Sequence, residues 1–169
     1  MIGQQQDVAE IAAPYLLTVD EIRARDLWRW RVGISGAVPT ARGGKVSEDI
    51  MVPPEALQAA IDGIGRIAHE LKLVSCSWGH AGDGNMHASF LVDPGDPDEL
   101  ALANRASDRL FELAIGLGGS ITGEHGIGYL KRGQLARQWD AAALELHEQI
   151  KRAFDRHGIF NPGKKVARL

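Results

Sequence analysis

The chain has 169 residues, 44% of them hydrophobic, and 19 basic against 22 acidic side chains for a net charge of −3. That is one domain's worth of sequence with enough apolar content for a real core, and its acidic balance argues against a nucleic-acid partner. Cys76 is the one cysteine, which rules out an intramolecular disulfide, while the lack of a transmembrane-length apolar run or of a signal-peptide pattern leads to the expectation of a soluble, cytoplasmic protein.

In chain order, Met1 to Gln6 is polar, and Asp7 to Leu17 reads as a short helix interrupted at Pro14, because proline disfavours helix at the residue before it. Asp20 is placed to cap a second helix running to about Arg31, with Ile22, Leu27 and Trp30 on its apolar side. Ser47 to Val52 reads as a strand leading into Pro53-Pro54, and the second proline can open a long helix, Glu55 to Leu71. Leu57, Ile61, Ile64, Ile67 and Ala68 form its buried stripe, and His69 sits where the helix dipole favours a cation.

Leu73 to His80 and Asn85 to Asp93 follow as antiparallel strands joined by the turn Ala81-Gly82-Asp83-Gly84, with Cys76 as a buried thiol on the first. Asp96-Pro97 starts a helix through Leu100, Leu110, Leu113 and Ile115, stopped by a glycine-rich segment. Tyr129 to Arg132 and Gln134 to Gln138 read as a short helix. Asp140 then caps a last amphipathic helix, Ala141 to Asp155, with Leu144, Leu146, Ile150 and Phe154 on its apolar side. Several helices, few strands and one clear hairpin predict an α+β fold, an antiparallel sheet with packed helices. An open sheet edge would let a second copy pair with it as a homodimer.

The chemistry concentrates in two glycine-rich stretches. In Gly79-His80-Ala81-Gly82-Asp83-Gly84-Asn85-Met86-His87, the hairpin register pairs His80 with Asn85 and His87 with Trp78. Side chains of period two share a face, so both imidazoles point the same way. Asp83 reads as a turn residue or a partner that orients a histidine. A histidine on a half-buried strand ordinarily just packs or hydrogen-bonds. The second stretch, Gly118 to Gly128, argues for more: five glycines among eleven residues surround an adjacent Glu124-His125 pair that a plain linker does not need. Two histidines and a carboxylate among glycines are the ingredients of a metal centre with open positions.

Together with Leu27-Trp28-Arg29-Trp30-Arg31 and the closing Ile159-Phe160-Asn161-Pro162-Gly163-Lys164, these motifs resemble the C-terminal domain of the FAD-linked oxidases, the group of glycolate oxidase, D-lactate dehydrogenase and D-2-hydroxyglutarate dehydrogenase. The resemblance covers nearly the whole chain, 1–169, as one domain. It implies a ferredoxin-like cap, here expected to be truncated because a first strand is missing, and it implies a separate N-terminal FAD-binding domain, which nothing in this sequence resembles. In a complete enzyme it implies a 2-hydroxy acid whose carboxylate meets Arg31 and Lys45, with Ser35 and Asn85 also at the substrate. A divalent metal, zinc or manganese by preference, would be held by His80, His87 and Glu124. His125 would be the catalytic base and, with Asn161, would approach the flavin. Alone, the chain is expected to be inactive until an FAD domain or subunit joins it. The alternative is a non-enzymatic metal- or carboxylate-binding module that has lost its flavin partner.

Overall fold

The computed structural model describes residues 32–165. Both helices expected before residue 32, and Arg31 with them, lie outside the described residues. The chain is helical at 32–37 and continues through a 3-10 turn, Val38–Ala41, into β1, Gly44–Met51. Then come α1, Leu57–Glu70, β2, Val74–His80, β3, Asn85–Val92, and α2, Pro97–Gly116. After a long loop, a 3-10 turn, Arg132–Gln134, runs into α3, Leu135–Gln138, and α4, Ala141–Phe154, follows.

The fold is α+β, as expected. Its sheet is antiparallel in the order β1-β3-β2, so β3 is central and is buried along its whole length. Helices α1 and α2 cover one face. The stripe of α1, Ala60, Ile64, Ile67 and Ala68, meets Ile50, Met86, Ala88 and Phe90 from the strands and Ala103, Ala106, Leu110 and Ala114 from α2. Fully burying a side chain such as Phe90 or Ile50 contributes about 1.5–3 kcal/mol each. Asp96 caps α2 as expected, its carboxylate accepting from Asp98 N and Glu99 N with Pro97 in the first turn.

The order βαββα is that of a ferredoxin-like unit. Among the described residues, the strand that would complete it after α2 is reduced to one antiparallel bridge, Ser120 with Met51. The missing first strand expected from the resemblance falls before the described residues. Apart from that bridge, the outer sides of β1 and β2 are unpaired among the described residues, the feature on which the expected homodimer rests.

Several boundaries differ from expectation. The first strand starts at Gly44, three residues early, because the sheet register continues to Gly44↔Val92. Pro54 opens a 3-10 turn, Pro54–Ala56, before the α-helix begins at Leu57. Residues 129–131 form turns instead of helix. Cys76 is half-buried, although burial still pushes its thiol pKa up and away from a nucleophile's. The apolar side of α4 is not buried: Leu146, Ile150 and Phe154 are exposed, and Leu144 alone of the four packs on the core. Among the described residues, no helix is long and apolar enough to cross a membrane.

Candidate metal centre

The site is built on the sheet face turned away from α1 and α2. The turn between β2 and β3 folds as expected: Asp83 N and Gly84 N donate to His80 O, and Asp83 accepts from Asn85 N through its carboxylate. Gly84 has φ +81 and lies against Val52, whose carbonyl oxygen would be 1.9 Å from an added Cβ. Only glycine fits there, and the turn is thereby held against the strand exit. The register is the expected one, His80 opposite Asn85 and Trp78 opposite His87, so the imidazoles are diagonal neighbours with centroids 5.7 Å apart.

The loop after α2 brings Glu124 over this pair. Its Oε1 is 3.0 Å from His87 Nε2 and 3.8 Å from His80 Nε2, and the three potential ligand atoms lie within 4.8 Å of one another. Donors about 2.0–2.2 Å from one tetrahedral ion stand roughly 3.3 Å apart, so this donor set fits a divalent metal. Burial pushes the His87 imidazole below the usual histidine range, the neighbouring His125 and His80 push the same way, and Glu124 and Asp49 oppose them without prevailing. The neutral imidazole that results is the form that ligates metals.

His125 stacks on His87 with centroids 5.1 Å apart, its Nε2 3.7 Å from Glu124 Oε1 and its Nδ1 3.7 Å from Asp49 Oδ1. His80, His87, Glu124 and His125 border an open cleft of about 430 Å³ whose walls also include Ile34, Ser35, Ser47 and Trp78. Lys45 lies nearby, donating to Ser35 O at 2.9 Å and Ser35 Oγ at 3.2 Å and standing 5.1 Å from the Trp78 ring centroid. Arg31 lies outside the described residues, one position before Val32, which lines the cleft.

Asn85 is placed differently from a group reaching into a cleft. It is buried, its Nδ2 donates to Ile50 O, its Oδ1 has no partner among the described residues, and Gly123 lies on top of it. Asn161, with φ +49, closes a turn in which Lys164 N donates to Asn161 O, and it is not among the residues that line the cleft.

Sequence reasoning missed the group beneath the loop. Asp49, fully buried and paired across the sheet with His87, accepts from Gly123 N, Glu124 N and His125 N and from Thr122 Oγ1. Lys131 closes the other side, 2.6 Å from Asp49 Oδ1 and 3.3 Å from Glu48 Oε2. Burial pushes the Glu48 carboxyl up despite Lys131. The available signal was two adjacent acids inside a strand, an unfavourable place for charge without a dedicated partner.

The model for the C-terminal domain of FAD-linked oxidases matches residues 4–165. The chain belongs to that family. It is 35% identical to the glycolate oxidase subunit GlcD of Escherichia coli K12 over 90% of its own length and 31% of the relative's. It is 37% identical to GlcD of Bacillus subtilis over 73% of the chain and 26% of that protein. A probable mitochondrial D-lactate dehydrogenase of Danio rerio is 33% identical over 86% of the chain and 29% of its own length. This FAD-linked oxidase domain thus spans about a third of the curated relatives it matches.

In the domain, Gly123 is a point of close approach: an added Cβ would lie 1.9 Å from Asn85 Nδ2 and 2.7 Å from its Cγ. Gly123→Ala is expected to lower stability by about 1–3 kcal/mol through overpacking. Urea denaturation checks the figure, and weakened metal binding in the same variant is the expected companion effect.

Proposed function

We propose that this chain is the substrate- and metal-binding part of a flavin-dependent 2-hydroxy-acid dehydrogenase, completed by an FAD-binding domain or subunit. What carries the reading is the His80, His87 and Glu124 donor set at the wall of a cleft, in a chain whose relatives are named for glycolate and D-lactate oxidation.

His80 Nε2, His87 Nε2 and Glu124 Oε1 would hold a divalent metal, zinc or manganese, which when bound supplies Lewis-acid polarisation of a substrate hydroxyl. An FAD held by a partner domain or subunit would accept a hydride, chemistry no side chain provides. The chain's own residues bind and orient the acid. Arg31 offers its planar guanidinium to the substrate carboxylate. Lys45, which makes no ion pair with a described residue, adds a second positive charge beside Ser35. His125 takes the hydroxyl proton at Nε2, the ring nitrogen that faces Glu124. Asn85 acts from below, setting the height of the Gly123 backbone beside the ligand Glu124. The exposed apolar side chains Leu146, Ile150, Phe154 and Phe160 offer a surface to the flavin-binding portion, with Asn161 next to it.

The test mixes the chain with an FAD-loaded polypeptide corresponding to the part of the relatives that it does not cover. Glycolate or D-lactate is expected to bleach the flavin absorbance when zinc or manganese is present, and propanoate, which lacks the hydroxyl, is not. Metal-dependent binding of the acids without bleaching would favour the non-enzymatic module, and no binding of metal or acid would overturn both.

A further inference from the structure

We propose that Asp49 is the positioning residue of the metal centre: its carboxylate, locked by Lys131, gathers the backbone of residues 122–125 and thereby holds Glu124 and His125 over the two histidines. The inference rests on the metal-binding reading for its purpose, and on the hydrogen bonds alone for its structural half.

Glu124 and His125 need such a device. Their side chains are 51% and 56% exposed, so packing does not fix them. Their positions come from the backbone, and that backbone runs between glycines at 123 and 126 with little conformational preference of its own. Three successive N–H groups converge on one oxygen: Gly123 N at 2.7 Å, Glu124 N at 2.7 Å and His125 N at 3.0 Å all donate to Asp49 Oδ2. Such a concave arrangement of amides is an anion site, and here the protein fills it with its own side chain. Thr122 Oγ1 donates to the same carboxylate and accepts from Gly126 N at 2.9 Å, which closes the turn from the other end.

Asp49 is not one of the three candidate metal ligands, and its nearest approach to the centre is 3.7 Å, from Oδ1 to His125 Nδ1. It is fully buried, and its second oxygen is taken by Lys131 Nζ, which also donates to Asp49 O and Ile121 O at 3.0 Å. It therefore acts through the loop. Because Asp49 stands opposite His87 in the β1–β3 register, one sheet position fixes a ligand and its neighbour fixes the loop that carries the other. Without the carboxylate, three adjacent amide dipoles would face each other with no acceptor, and relaxation of the loop would carry Glu124 away from His80 and His87.

The experiment uses Co²⁺ as a probe whose visible absorption reports coordination, and compares wild type with Asp49→Asn, Thr122→Val and Leu110→Ala. Leu110 is fully buried in the hydrophobic core and offers the loop backbone no hydrogen bond, so its variant controls for loss of stability alone. Asp49→Asn is expected to weaken Co²⁺ binding at least tenfold and change the band shape, Thr122→Val about threefold, and Leu110→Ala less than twofold, in line with the 10–100-fold typical of groups that orient ligands. Equal affinities in wild type, Asp49→Asn and Thr122→Val would overturn the proposal. Should Asp49→Asn not fold, Thr122→Val decides alone, and unchanged affinity and spectrum there overturn it.

Amide hydrogen exchange separates this inference from the reading beneath it. The Gly123, Glu124 and His125 amides are expected to exchange at least tenfold faster in Asp49→Asn or Thr122→Val than in wild type, with α1 amides unchanged. Wild type that binds no Co²⁺ but shows this pattern would sink the metal reading and leave Asp49 as the organiser of the loop. Unchanged exchange at these amides would sink the inference whatever the metal does.

Discussion

Glu124→Ala is expected to abolish the stabilisation that zinc or manganese confers on the wild-type chain, while the metal-free stability stays within about 0.5 kcal/mol of wild type. The asymmetry follows from where Glu124 sits. Its side chain is half exposed and, among the described residues, its carboxylate meets imidazoles, His87 at 3.0 Å, His80 at 3.8 Å and His125 at 3.7 Å, so truncation leaves no cavity and no buried orphan. A ligand that binds only the folded state stabilises by about 2.7 kcal/mol at a hundredfold excess over its Kd. Thermal unfolding with and without metal should therefore show an upward shift for wild type and none for Glu124→Ala. Affinity should fall by more than about 100-fold, since residues that merely orient ligands already cost 10–100-fold. His87→Ala should lose the metal response too, but it also empties a buried position and lowers the metal-free stability. A wild-type protein indifferent to both metals and to chelator would refute the reading.

Much of this centre was legible because its signals are local. The Gly-Asp-Gly turn fixes the register of the hairpin, and a fixed register puts His80 and His87 on one face whatever the rest of the chain does. The stripe of α1 and the Asp96-Pro97 cap are equally local. What escaped depends on distance in sequence. Asp49 meets residues 73 to 76 positions away, and nothing in Glu48-Asp49 says which backbone it will gather. The bridge between Met51 and Ser120 is of the same kind. The last helix fails for another reason: periodicity shows that α4 has an apolar side, not that anything within the described residues covers Leu146, Ile150 and Phe154. The family motifs in turn gave residue roles without packing, which is why Asn85, read as a substrate contact, proves to be buried beneath Gly123.

The largest loss of stability is expected from Lys131→Met. The lysine is 5% exposed and is the cation of a cluster whose other members are the fully buried Asp49 and the partly buried Glu48. Removing it leaves two adjacent carboxylates facing the same space, and breaking a buried pair by deleting one partner costs about 3–5 kcal/mol. Folded domains have only about 5–15 kcal/mol to lose. Urea denaturation at pH 7 measures the difference, and the double variant Asp49→Asn/Lys131→Met should lose less than the sum of the two single changes, because each single change strands the other's partner. The pH dependence has a definite sign. Burial alone would raise the Asp49 carboxyl, but the hydrogen bond from Lys131 and those from the His125 and Glu124 backbones outweigh it and hold the group well below the usual carboxylate range. Its folded pKa is thus below the unfolded value of about 3.9, so its stabilisation is present in full above that pH and is lost as pH falls toward the folded value. The advantage of wild type over Lys131→Met should be largest near pH 7 and shrink as pH falls, because Lys131 lowers both carboxyls in wild type, so in the variant Glu48 and Asp49 take up protons at higher pH and shed the unbalanced charge. An advantage under about 1 kcal/mol at pH 7 would mean that the backbone amides of residues 123–125 satisfy Asp49 without Lys131, and that the loop, not the lysine, is what the carboxylate answers to.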